Sequence, residues 1–295
     1  EEIQGAERAR GIWVSGELLA SEHAEPLFAL ADKVLVVDNV LPDRLASRAS
    51  LYADAVDPSE HPKIHDVDSA VAATRRALEL ARIHGGPTHL LHLSTAEEIE
   101  LLGAGRPEAL TTAVRTPHLF LEDGVYERLG TRAITSPPLR RRRHRHALWR
   151  ALERGQANLI ASGHFPVRPE TKARPYPVTH PGLPTLEWTL PLLLDRVNRG
   201  VITLSDVARW SSEAPAGALH IPRKGRLETG YDGDLVLVEM SPTRVIGEDA
   251  PIHSPCGWSP WEGVALTGWP ILTVVLGEVV FRDGEHLTEV RGRAL

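Results

Sequence analysis

Short apolar runs alternate with amphipathic stretches through the first two-thirds of the chain. Gly11-Ile-Trp-Val14, Val34-Leu-Val-Val-Asp38, residues 89–93, Leu110-Thr-Thr-Ala-Val114 and Asn158-Leu-Ile-Ala-Ser162 read as strands. Residues 22–31 and 69–84 read as helices, the second with Val71, Leu78 and Ala81 on its apolar side. Strands separated by helices imply βα units and a parallel sheet. Residues 182–195, ended by Gly200, and residues 204–211, opened by Ser205-Asp206, predict two further helices.

The final quarter changes character. A turn-rich link over residues 225–230 leads to short strands at 234–239, 272–276 and 278–281, with Gly277 and Asp283-Gly284 as turns. That pattern predicts a small antiparallel unit. The expected division is therefore an α/β portion over residues 1–222 and a β appendage over 223–295.

Composition narrows the function classes. With 295 residues, 42% of them hydrophobic, the chain can form one large domain, or one domain with a small satellite. No apolar run reaches the ~18 residues of a membrane span. A net charge of -6 argues against a nucleic-acid binder. Cys256 is the sole cysteine, which excludes an intrachain disulfide and suits a cytoplasmic setting; it reads as a packing residue. Met240 is the sole methionine, so residue 1 does not read as an encoded start, and whether residues precede Glu1 is left open. Residues 1–10 read as a helix rather than a signal peptide.

The run His89-Leu-Leu-His92-Leu-Ser-Thr-Ala-Glu-Glu98 carries the most information about chemistry. It reads as a buried strand that delivers one imidazole to its C-terminal end, followed directly by a capped helix. In a parallel barrel that end carries the chemistry. The densest charge run, Arg140-Arg-Arg-Arg-His-Arg-His146, reads either as a solvated helix start or as an anion- or partner-binding patch. His144-Arg-His146 has the spacing of a ligand pair, but no strand leads into it. Ser94, Ser136 and Ser162 lie in no Gly-x-Ser-x-Gly elbow. Trp188, Trp210, Trp258, Trp261 and Trp269 read as core or interdomain packing.

Several segments, in order, resemble the cyclic amidohydrolases and in particular the dihydroorotases. They are His92-Leu-Ser-Thr, Thr116-Pro-His-Leu-Phe-Leu121, Pro137-Pro-Leu-Arg140, Ile160-Ala-Ser-Gly-His164 and Pro181-Gly-Leu-Pro184. Later come Lys224-Gly-Arg-Leu-Glu-Thr-Gly-Tyr-Asp-Gly-Asp-Leu-Val-Leu-Val238 and Trp258-Ser-Pro-Trp-Glu-Gly263. The resemblance implies a TIM-type (β/α) barrel lacking its first strands, with a C-terminal β-sandwich unit. Five barrel strands are legible where a complete barrel has eight. The barrel is then open, completed by another chain, or preceded by upstream residues.

The resemblance also implies a zinc site, with His92 as a ligand, and exposes what is missing from it. The family's His-x-His at the first strand is absent. Asp38 stands where the family has a ligand histidine, and Trp13 at the likely place of a lysine or aspartate near the metal pair. Gly163 replaces the aspartate that is both ligand and general base; glycine can neither bind metal nor take a proton. Val167 replaces a second histidine, Pro117-His118 a His-His pair, and Ser136 a substrate-facing asparagine. Ser136, Arg140 and His164 are the expected remnants of a substrate pocket, His92 a remnant metal ligand and Asp38 a weak candidate. No catalytic residue is expected.

The expectation is a catalytically inactive dihydroorotase-like protein of pyrimidine synthesis. It would act as a structural partner of aspartate carbamoyltransferase, with a homodimer open, and no cofactor would be needed. The alternatives are an active zinc-dependent dihydroorotase or related cyclic amidohydrolase, and a non-catalytic binder of a small anionic ligand.

Overall fold

The structure is a computed structural model that describes residues 9–30 and 32–287. The helix read over residues 1–10 lies almost wholly outside them. The chain divides into two compact units, Glu1–Thr185 and Leu186–Leu295.

Five parallel strands build the first unit: β1 (Gly11–Val14), β2 (Val34–Val37), β3 (Thr88–Leu93), β4 (Leu110–Arg115) and β5 (Leu159–Ala161). They lie side by side in chain order, with helices in the connections, which is the expected (β/α)-barrel arrangement. All five predicted strands are present. The strands are apolar because both sheet faces are covered. Val34, Leu35 and Val37 are almost fully buried, as are Leu90, Leu93, Ala113 and Val114.

Two connections set the site. Helix Val67–His84 starts where the Asp66 carboxylate accepts from the Ser69 N–H at 2.8 Å, and ends at Gly85 with φ 68°. Its buried face is Ala73, Ala77, Leu78 and Ala81, whereas Val71 is only half-buried. Helix Ala96–Gly103 carries the predicted cap: Thr95 Oγ1 accepts from the Glu98 N–H, and the Glu98 carboxylate reaches back to the Thr95 N–H.

In the second unit, helix Leu186–Asn198 begins four residues later than the apolar pattern suggests. Gly182, with φ 146°, and Pro184 keep the preceding segment extended, and Leu183 bridges to His164 instead. The helix packs on the sheet of its own unit through hydrogen bonds from Asn198 Nδ2 to Thr267 O at 2.8 Å and from Thr267 N to Asp195 Oδ1 at 3.3 Å. The sheet is antiparallel, in the order β6 (Leu235–Val245), β7 (Ala265–Val275), β8 (Glu278–Arg282), β9 (Glu285–His286). β6 and β7 are far longer than their apolar cores, because ladder pairing carries polar residues such as Thr243 opposite Thr267. Pro242 is tolerated because β6 is an edge strand. All five tryptophans from Trp188 onward are buried, as is Cys256. Among the described residues no helix is long and apolar enough to cross a membrane.

Candidate functional site

Consecutive parallel strands bring their C-terminal ends side by side, and the candidate residues follow from that. Asp38 comes directly after β2, His92 lies near the end of β3, Arg115 closes β4, and Gly163 follows β5. His92 is buried, and its Nε2 lies 2.8 Å from Asp38 Oδ1. Two of the expected residues thus converge across 54 positions of chain.

The electrostatics set the character of this contact. Burial lowers the proton affinity of His92, the Arg115 charge lowers it further, and Asp38 opposes both. Burial alone would raise Asp38, but the bond to His92 and the charges of His92 and Arg115 outweigh it and leave the carboxyl below its ordinary range. The pair is therefore a neutral imidazole donating to a carboxylate. Asp38 can only accept, so Nε2 carries the proton and Nδ1 is the bare lone pair. Nδ1 is buried without a hydrogen-bond partner.

A buried polar hub fixes both sides of the pair. Asn39 Nδ2 donates to His92 O at 3.1 Å, to Thr74 Oγ1 at 2.9 Å and to Glu98 Oε1 at 3.1 Å. Glu98 is fully buried. Its Oε2 accepts from Ser94 N and Thr95 N, both at 2.9 Å, and from both hydroxyls. Thr74 Oγ1 donates to Oε1 at 2.7 Å. One carboxylate thus ties the ends of β2 and β3 to helix Val67–His84. Asn39 and Arg115 escaped the sequence reading. A charged residue closing an otherwise uncharged strand was the available signal for Arg115.

The other expected pocket residues have local partners. His164 Nδ1 accepts from Thr185 N at 3.1 Å. Ser136 O accepts from Arg115 Nη1 at 2.6 Å. Arg140 is buried and donates to the carbonyls of His65 and Asp66. Ser136, Arg140 and Asn39 line one small cavity. His118 is buried, its Nε2 3.2 Å from Pro137 O, and burial with the nearby Arg115 charge brings its pKa down to about 3. Trp13 is 55% exposed on β1.

The arginine run is largely neutralised. Arg143 pairs with Glu97 at 2.6 Å, Arg145 with Glu122 at 3.2 Å and Arg141 with Asp123 at 3.9 Å. His144 and His146 diverge. His144 Nδ1 accepts from Ala96 N at 3.0 Å, while His146 Nε2 lies 3.4 Å from Arg142 Nε.

The donors do not fit zinc. Asp38 and His92 are bonded to each other. Among the described residues no group of three or more His, Cys, Asp or Glu side chains is placed to hold one ion. Asp38, His92 and His164 therefore form no shared metal site.

The pattern of the amidohydrolase family matches residues 21–280. The chain belongs to the amidohydrolase family. It is 35% identical to a dihydroorotase of Methanothermobacter thermautotrophicus over 240 residues, 81% of this chain and 54% of that protein. It is 34% identical to a dihydroorotase of Halobacterium salinarum over 267 residues, 90% of this chain and 61% of that protein. The chain thus spans about half the length of the curated relatives it matches. The L-hydantoinase of Arthrobacter aurescens shares its fold, with a TM-score of 0.88 and 24% identity, over 98% of this chain and 68% of that one. Dihydropyrimidinase from Brevibacillus agri gives 0.87 at 22% identity, covering 97% and 67%. The protein is thus a dihydroorotase-like amidohydrolase relative with a TIM-type α/β unit and an antiparallel C-terminal sheet.

Proposed function

We propose that this chain is a non-catalytic dihydroorotase-like protein of pyrimidine synthesis and a structural partner of aspartate carbamoyltransferase. One observation carries the non-catalytic reading. At the strand ends, where chemistry would occur, Asp38 and His92 Nε2 are bonded to each other, and position 163 has no side chain. A hydrolytic centre of the zinc kind needs several ligands and an open position for water. The scaffold meanwhile keeps its caps and core, as expected of a chain selected to fold and dock, since core changes are the costly ones. The partner is inferred from kinship with dihydroorotases.

The test is size-exclusion chromatography of the protein, mixed at micromolar concentration with the transferase from the same source, together with a dihydroorotate hydrolysis assay and zinc analysis. Co-elution without turnover is expected. A protein that ignores the transferase would refute the partnership. Metal-dependent turnover abolished by His92→Ala would establish the active reading instead.

A further inference from the structure

The stem of Arg115 crosses directly over Gly163. A Cβ at position 163 would stand 2.9 Å from Arg115 Cδ, 3.0 Å from its Cβ and 3.2 Å from its Cγ. Cβ is fixed to the backbone and cannot swing aside, and Cγ and Cδ are held by the anchored guanidinium. Gly163 also has φ 64°, a conformation that L side chains adopt only under strain. Position 163 is therefore closed by backbone shape and by filled space. The guanidinium is anchored by Nη1 donating to Ser136 O at 2.6 Å. Its charge favours the Asp38 carboxylate and disfavours protonation of both His92 and His118.

We propose that Arg115 and Gly163 are a matched pair that closes this strand end to any side chain at position 163. The Arg115 stem fills the space that such a side chain would need. The inference rests on the non-catalytic reading and deepens it: the site has been refilled, and the glycine and the arginine depend on each other.

Two substitutions test the coupling. Arg115→Gln keeps Cβ, Cγ and Cδ over Gly163 and removes the charge; Arg115→Ala removes the stem beyond Cβ. Gly163→Ala is measured by thermal melting in wild type, R115Q and R115A. The Tm loss should be similar in wild type and R115Q, and smaller in R115A, where the φ strain and the 3.0 Å approach to Cβ remain but the contacts with Cγ and Cδ are gone. Equal losses in all three backgrounds overturn the steric coupling.

The two failures look different. Metal-dependent turnover by the wild type overturns both this inference and the non-catalytic reading, whereas equal melting losses overturn this inference alone.

Discussion

Replacing Glu98 with alanine should be among the most damaging changes in the first unit. The side chain is fully buried, and Oε2 accepts from the backbone N–H groups of Ser94 and Thr95 at 2.9 Å each. The Ser94, Thr95 and Thr74 hydroxyls can turn to other acceptors, but backbone donors cannot. Leaving a buried donor unpaired costs about 1–3 kcal/mol, so two give roughly 2–6 kcal/mol, and we expect about 4 kcal/mol. The assay is urea unfolding followed by far-UV circular dichroism with linear extrapolation, reading the transition of the first unit by itself if the two units unfold apart. Glu98→Gln keeps an acceptor on one side of the group only, so it should lose about half as much. A Glu98→Ala loss under about 1 kcal/mol would refute the reasoning. It would mean that water reaches the donors and that the hub does not hold β2 and β3 together.

Three further outcomes follow from the geometry. Lys172 is buried, its Nζ donates to Ile134 O at 2.7 Å and His180 O at 3.1 Å, and burial brings its pKa down to about 7 from 10.5. The unfolded chain binds the extra proton between those values, so this residue's contribution to stability rises with pH from about 7 to about 10.5; the deficit of Lys172→Met in thermal melts should grow between pH about 7 and about 9, and a constant deficit would contradict the assignment. Gly268 has φ 101°, and a Cβ there would lie 2.9 Å from Leu194 Cβ, so Gly268→Ala should cost about 2–4 kcal/mol by chemical denaturation. Arg143→Ala breaks an ion pair whose Arg143 side chain is 57% exposed and should cost under about 1 kcal/mol, whereas His144→Ala strips a buried acceptor from the Ala96 N–H and should cost more. Equal losses for those two variants would contradict the burial argument.

The elements legible from sequence are those whose cause is local. A run such as Val34-Leu-Val-Val can only be a covered strand, and Thr95 with Glu98 three positions on marks a helix start, because both signals act within a few residues. The loss at position 163 was equally plain, since glycine has no donor atom wherever it is placed. The extents of β6 and β7 were not, because polar residues there are held by ladder pairing with a distant strand.

The candidate site divides along the same line. The sequence pattern placed His92 at a strand end, and the family resemblance implied too few ligands around it. Only the tertiary structure decided that Asp38, 54 residues away, would bond His92 Nε2, that Asn39 and Glu98 would lock the two strand ends together, and that the stem of Arg115 would lie over Gly163. The physical reason is the parallel sheet. Neighbouring strands come from segments separated by whole helices, so side chains at their C-terminal ends meet by register, which no local pattern encodes.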